Sequence, residues 1–324
     1  MNGKKIDLAW GDPLVVRQAL TETLGKGYEM VFLHLERMKY PPHLGEHNLI
    51  EQLKDLTARQ IGKRPKHLMV TCGASGAISA AIHALRRPWT EVVITGDRYY
   101  PFYHEIVKLA GLSRFGRTSA YGMQNDYITE AISLTLVDSP SNPDGLVYPF
   151  EEVDIYDAAY ASATYSQKGH VPSKYKVVCG SLSKTLGLPG LRLGWVATDE
   201  DLLVGELTDC VTATYVGLSS LSMAVAEEIL SKLDFARFEE KSRLHLDSNR
   251  EEIQKVLDRF GQPQVSSRGM FALIELGKAE RKALEKAGIR WQCGTTFGGD
   301  ENLARINLGA DREVIKKVVK EILK

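Results

Sequence analysis

The sequence predicts an α/β protein whose mainly parallel sheet is covered on both faces, with a second, smaller α+β unit. Three observations carry this. Short β-rich runs alternate with helical periods from His67 to Thr198, the pattern of strands joined by crossover helices. After Asp199 the pattern turns helical and returns to mixed strand and helix only near the C-terminus. At 324 residues the chain can bury roughly three quarters of its unfolded surface without disulfide or metal staples.

The elements follow in order. Ile6 to Ala9 is a short apolar run broken by the turn signal Gly11-Asp12-Pro13, and Leu14 to Leu24 reads as a helix. Tyr40-Pro41-Pro42 marks a break. Asn48 to Ile61 then places Leu49, Leu53, Leu56 and Ile61 at helical spacing. Strands are expected at His67–Cys72, Glu91–Thr95, Leu134–Asp138, Val153–Tyr156, Lys176–Gly180 and Leu193–Thr198. Helices are expected at Ala74–Leu85 and Phe102–Ala110. Leu202–Tyr215, Leu221–Leu233 and a long charged stretch from Phe235 to Phe260 read as helices. Phe271–Glu275 and Ala304–Leu308 read as strands, and Arg312–Leu323 as the last helix. A boundary near Asp234 gives a large domain of residues 40–234 and a smaller discontinuous one of residues 1–39 and 235–324, with the N-terminal segment packed on the C-terminal part.

Composition excludes several classes. Forty-one basic residues balance forty-one acidic ones, so broad electrostatic capture of nucleic acid or an anionic membrane is not expected. No apolar run approaches the roughly 18 residues of a membrane span, and the first residues lead into no signal-peptide core. Cys72, Cys179, Cys210 and Cys293 lie far apart without metal-like spacing, which fits free thiols in a reducing cytosol. A cytoplasmic protein is expected. His43-Leu44-Gly45-Glu46-His47 fits the inverted zinc-peptidase pattern H-x-x-E-H, whose chemistry needs both histidines on one helical face. Gly45 and the preceding Pro41-Pro42 oppose such a helix, and no metal is expected. A cofactor sensor joined to a DNA-binding module is set aside, because no basic stripe accompanies the chain and a helix-turn-helix has no room before Ile6.

The chemistry concentrates in Ser181-Leu182-Ser183-Lys184-Thr185-Leu186-Gly187-Leu188-Pro189-Gly190-Leu191-Arg192-Leu193-Gly194-Trp195. Lys184 follows a strand, in an expected loop where apolar neighbours would desolvate it, lower its pKa and leave part of the amine nucleophilic. Ser181, Ser183 and Arg192 supply donors suited to a phosphate. Thr71-Cys72-Gly73-Ala74-Ser75-Gly76-Ala77 closes a strand and opens a helix, whose free N–H groups and dipole favour an anion. The dipole gives only roughly 0.3–1 kcal/mol in exposed cases, so Arg192 should supply more of the attraction. An aromatic cluster, Tyr99-Tyr100-Pro101-Phe102-Tyr103, follows the next strand. Ser139-Pro140-Ser141-Asn142-Pro143-Asp144-Gly145 and Asp157-Ala158-Ala159-Tyr160 leave two more strands.

These motifs, in this order, resemble those of the fold-type I pyridoxal-phosphate enzymes, the class I/II aminotransferases. The resemblance spans Gly11 to Arg305. It implies pyridoxal 5′-phosphate held as a Schiff base on Lys184, with Gly73, Ala74, Ser75, Ser181, Ser183 and Arg192 at its phosphate. It implies Asp157 at the pyridine nitrogen, Asn142 and Tyr160 at the phenolic oxygen, and a stacked aromatic ring aligned with Tyr100, Tyr99 and Tyr103 remaining open. Arg305 matches the arginine that holds the substrate α-carboxylate, and Gly11 a glycine lying beside it. Tyr40 resembles a tyrosine that reaches the phosphate of a neighbouring subunit, which implies a homodimer. Asp144 departs from the more usual Thr, and SPSNPDG together with Leu8-Ala9-Trp10-Gly11-Asp12-Pro13 looks more like the alliinase and plant tryptophan aminotransferase branch.

The implied reaction moves the amino group of an L-amino acid to a 2-oxo acid. The alternative is a β-eliminating C–S or C–O lyase of the alliinase type. A further departure is the short link from Asp144 to Glu152, where relatives carry a helix; a loop crossover is expected there.

Overall fold

The computed structural model describes residues 6–25, 39–87, 90–96, 98–112, 115–118, 133–147, 150–165, 171–263, 265–266 and 268–324. Residues 1–5 and 26–38, part of the expected smaller domain, lie outside these. A two-residue strand β1 (Ile6–Asp7) precedes α1 (Leu14–Leu24) and α2 (His47–Ile61). Then come β2 (His67–Thr71), α3 (Gly73–Leu85), β3 (Glu91–Thr95), α4 (Tyr103–Leu109), β4 (Phe115–Thr118), β5 (Ser133–Asp138), β6 (Glu152–Asp157) and β7 (Lys174–Ser181). One helical turn α5 (Leu182–Thr185) and β8 (Gly194–Thr198) lead to α6 (Val204–Tyr215), α7 (Ser220–Lys232) and the long α8 (Phe235–Phe260). The chain ends with β9 (Phe271–Glu275), α9 (Lys278–Lys286), β10 (Ile289–Arg290), β11 (Gln292–Cys293), β12 (Leu303–Asn307) and α10 (Arg312–Ile322).

Among the described residues the large sheet has the order β2-β8-β7-β6-β5-β3-β4. Its pairs are parallel from β4 through β7, and β8 runs antiparallel to both β7 and β2. Alternation of strand and helix in the sequence did not distinguish β8 from its parallel neighbours. The reason is local: Leu182–Leu193 holds only α5 and a 3-10 turn at Pro189–Leu191, so the chain stays at one end of the sheet and turns straight back. The short link between β5 and β6 does make a parallel connection, as expected, and its described residues form no helix. Residues 139–151 meet the minimum of a dozen or so that a parallel crossover needs. β4, β10 and β11 carried no signal read from the sequence.

The sheet's period of two separates its faces. Met69, Val177, Cys179 and Val196 pack with Ala77, Ile78, Tyr103, Ile106 and Leu207 from α3, α4 and α6. Leu68, Val70, Val178, Trp195 and Ala197 face the other way, into a cluster with Leu49 and Leu53 of α2, Met223 of α7 and Ile274, Ile306 and Ile315 of the C-terminal part. Each fully buried Leu or Ile contributes roughly 1.5–3 kcal/mol of transfer free energy.

A second sheet, β11-β12-β9, is antiparallel, and β1 pairs in parallel with β10. Helix α1 packs along α8. The first described residues are thereby fastened to the last hundred. No helix among the described residues is long and apolar enough to cross a membrane.

Candidate active site

Parallel strands of the large sheet share an orientation, so their carboxyl ends meet on one edge, where ligands of open α/β sheets bind. Asp138, Asp157 and Cys179 are register partners across β5, β6 and β7. A cavity of about 490 Å³ opens at this edge. Its wall includes Gly11, Ala74, Ser75, Tyr100, Asn142, Asp157, Tyr160, Ser181, Ser183, Lys184, Arg192 and Arg305.

Lys184 stands in the helical turn α5, not in the expected loop. Ser181 makes the difference: its Oγ accepts the Ser183 N–H at 3.1 Å and caps the turn. Tyr165 Oη donates to the Lys184 carbonyl at 2.7 Å, which fixes the backbone from behind. The Lys184 Nζ donates to the carbonyl oxygen of Gly11. Burial, joined by the nearby Arg305 charge, lowers its pKa to about 8. A substantial fraction of the amine is therefore neutral near physiological pH.

One end of the cavity gathers groups of the kind that suit an anion. Helix α3 opens at Gly73 with no side-chain cap, which leaves N–H donors at its start. Ala74 and Ser75 line the cavity, and Gly73 lies beneath Arg192 instead of in the wall. Gly73 has φ +69°, and a Cβ there would stand 2.9 Å from Arg192 Nη2. At Gly194 a Cβ would meet the Gly73 carbonyl carbon at 2.4 Å. Arg192 itself takes the left-handed conformation, φ +51°, which costs a non-glycine residue ~1–2 kcal/mol. Such strain at a guanidinium in a cavity wall is typical of ligand sites.

A carboxylate occupies the floor. Asp157 ends β6, and its Oδ2 accepts from Tyr103 Oη at 2.6 Å while Oδ1 accepts the Ala159 N–H at 3.0 Å. Burial raises its pKa, and the two donors offset only part of that rise. Tyr100 lines the cavity; Tyr103 is fully buried with its ring edge-on to Tyr100 at 5.4 Å, and Tyr99 is not in the wall. Tyr160 is held between Tyr165 and Phe271, with T-shaped contacts at 5.5 and 5.7 Å.

Arg305, on β12, closes the opposite side. Its guanidinium lies over Phe271 at 4.1 Å and Phe297 at 4.6 Å, donates to Asn142 Oδ1 at 2.7 Å and to the Ala9 carbonyl at 2.5 Å. Burial lowers its pKa to about 10, still well above neutrality. Asn307, two residues on, donates to the carbonyls of Trp10 and Asp12 at 3.0 and 2.8 Å. The strap of residues 9–12 is thus pinned over Lys184 by β12.

Two residues stand apart. Tyr40 is 87% exposed and does not line the cavity of its own chain. His43 lies in a turn and His47 begins α2, so the H-x-x-E-H spacing does not place its histidines on one helix. Sequence reasoning missed Tyr103 as the partner of Asp157, Asn307 as the anchor of the strap, the Phe271–Phe297 sandwich and Asp138. Only Asp138 had a legible signal, an acid closing the apolar run Leu134–Val137 just before the SPSNPDG turn.

The architecture defines a fold. The whole chain superimposes on aminotransferase structures: a Thermus thermophilus aspartate aminotransferase tetra mutant in complex with tryptophan matches with TM-score 0.79 at 20% identity, covering 99% of this chain and 91% of that one. A Methanococcus jannaschii protein described as similar in its active site to kynurenine aminotransferases gives 0.77 at 19%, covering 99% and 91%. Residues 3–322 match the family "Aminotransferase class I and II", and the chain belongs to that family. It is a transferase enzyme with the fold-type I architecture. Among curated relatives it is 28% identical to a histidinol-phosphate aminotransferase of Methanocorpusculum labreanum, covering 74% of this chain and 72% of the relative. It is 23% identical to the aspartate/prephenate aminotransferase of Thermus thermophilus, covering 95% and 86%. These relatives are named as aminotransferases and lend β-elimination no support.

Proposed function

We propose that the chain carries pyridoxal 5′-phosphate on Lys184 and moves the amino group of an L-amino acid to a 2-oxo acid, acting as a cytoplasmic homodimer. The observation that carries the reading is one cavity that joins a desolvated amine, an anion cradle and a buried carboxylate: Lys184, Arg192 with the start of α3, and Asp157. These donors fit the cofactor's aldehyde, phosphate and pyridine nitrogen. The glycine pair supports the fit, since a Cβ at Gly73 would fill the space under Arg192 and one at Gly194 would displace the Gly73 backbone.

Bound pyridoxal phosphate supplies an electron sink for negative charge at the substrate's α-carbon. Asp157 keeps that sink cationic, because an opposite charge within hydrogen-bond range favours the protonated nitrogen. Tyr103 and the Ala159 N–H orient Asp157 and favour its ionised form, which the cationic nitrogen beside it would complete. Lys184 Nζ takes the substrate's α-proton as general base and delivers it to the carbon that keeps the amino group. Its lowered pKa lets it serve as acceptor and donor near neutral pH. Arg305 receives the α-carboxylate by exchanging two neutral oxygens, Asn142 Oδ1 and the Ala9 carbonyl, for charged ones, so that opposite charge and a paired, planar fit are added to bonds the guanidinium already makes. Asn142 and Tyr160 would serve the phenolic oxygen, Tyr100 would stack on the ring, and Gly11 would lie beside the carboxylate. The exposure of Tyr40 suits a residue reaching a partner's phosphate. Residues 40–234 form the cofactor domain in this reading, with 1–39 and 235–324 as the smaller one.

Purified protein given pyridoxal phosphate should develop a visible absorption band, and borohydride should fix the cofactor's mass on the peptide containing Lys184. An L-amino acid added without any 2-oxo acid should then bleach the band and release one equivalent of its own oxo acid. Continuous release of ammonia and a β-substituent would replace transamination by elimination. Protein that stays colourless and takes up no cofactor refutes the reading.

A further inference from the structure

The large sheet places a second acid in the wall of the cavity. Asp138 closes β5 in register with Asp157, and register partners in a parallel pair leave the sheet on one face. Leu136 and Ile155, two residues earlier in each strand, confirm that face by packing in the cluster under α3 and α4. Both acids line the cavity, and Asp138 is 2% exposed.

Their hydrogen bonding differs. Asp157 has a donor on each oxygen, Tyr103 Oη and the Ala159 N–H. Asp138 has one: its Oδ2 accepts the Asn142 N–H at 2.8 Å, while Oδ1 is buried with no partner among the described residues. A buried carboxylate oxygen left unpaired costs far more than a buried hydroxyl that finds an acceptor, and two neighbouring carboxylates seldom ionise together. The better-solvated member of such a pair keeps the charge, as in other sites built from two acids.

We propose that Asp138 is a positioning residue that stays a neutral carboxylic acid beside an ionised Asp157, and that its Oδ1 hydroxyl donates a hydrogen bond to the ligand filling the cavity. The pair then carries a single negative charge. Burial is the leading cause that raises the Asp138 pKa, and the charges of Asp157 on β6 and Asp144 in the following turn push the same way. Tyr103 from α4 and Cys179 from β7 also face this corner, while Tyr156 of β6 packs on the other face of the sheet; burial raises the pKa of each, so they stay uncharged. The assignment rests on the cofactor reading above.

The test compares Asp138→Asn with Asp138→Ala in protein reconstituted with pyridoxal phosphate. Asparagine keeps an acceptor for the Asn142 N–H, supplies an N–H donor in place of the hydroxyl and carries no charge, so it mimics the neutral acid. Cofactor affinity, read by titrating the visible band, should change less than about threefold in Asn and weaken about tenfold in Ala, the size of one ordinary hydrogen bond. The pH midpoint of the band should be the same in Asn as in wild type, a readout that loss of packing alone does not move. If Asn lowers that midpoint by about a unit, a negative charge was removed and Asp138 is ionised. If Ala binds the cofactor as tightly as wild type, the donor role fails. A wild type that never colours refutes the functional reading itself, and this role falls with it.

Discussion

The two sides of the cavity are held in different ways. On the sheet side, Ser181, Ser183, Lys184 and Arg192 sit within one stretch of twelve residues, and most bonds that fix them are short-range, as in the Ser181 cap on Ser183. On the strap side, Arg305 reaches Ala9 across 296 residues and Asn307 reaches Trp10 across 297. The backbone of the first side is set largely by a strand and a turn, although the Lys184 amine also reaches the strap at the Gly11 carbonyl. The second exists only when both ends of the chain have docked. In the proposed reading Lys184 and part of the phosphate cradle belong to the local side, and the substrate carboxylate belongs to the long-range side.

Substitutions can break this comparison, and the largest effect is expected at Lys184. Lys184→Ala should abolish the visible band and cut turnover by at least ~10²–10⁴-fold, the usual contribution of a general base, as followed by absorbance and oxo-acid release. Asp157→Asn should retain bound cofactor but lower kcat by ~10²–10³-fold through loss of the ring's counter-charge, measured by single-turnover kinetics. Arg305→Lys should raise KM for the amino acid by about 10–100-fold, with cofactor retention unchanged in a dialysis assay, because an ammonium cannot reproduce the planar fork. A loss of cofactor in Arg305→Lys would mean that the two sides are not separable.

Smaller effects sharpen the picture. Asn307→Ala removes two bonds to the strap and should destabilise the fold by about 1–3 kcal/mol, read from urea midpoints, with faster hydrogen exchange at residues 9–12. The pH dependence should follow Lys184. Covalent attachment of the cofactor should accelerate as pH rises and reach half its limit near pH 8, where the amine loses its proton. The same lowered pKa works against the fold at low pH. Below about 8 the buried ammonium is a cost, and stability should rise between pH 8 and the ordinary lysine pKa of about 10.4, where the unfolded chain still holds the proton.

Much of the site could be read from the chain because it is made of motifs at strand ends. A run such as Leu134–Asp138 or Lys176–Ser181 declares a buried strand, and the polar residues just past it land on the ligand edge of the sheet. The order of Ala74, Asn142, Asp157, Lys184 and Arg192 was legible for that reason, and so was the long helix α8. The helical turn under Lys184 was not, because its cap depends on a single serine hydroxyl whose partner no periodicity reveals.

By itself, then, the sequence determined the alternation of strand and helix, the residues that leave each strand and the family to which they belong, since period and local turn chemistry act over a few residues. Tertiary structure decided the rest. It turned β8 back on its neighbours, chose Tyr100 over Tyr103 for the cavity wall, laid Arg305 between two phenylalanines and set Asp138 beside Asp157. Each of these depends on which distant segments share a core, and burial and pairing across hundreds of residues are properties of the packed chain alone.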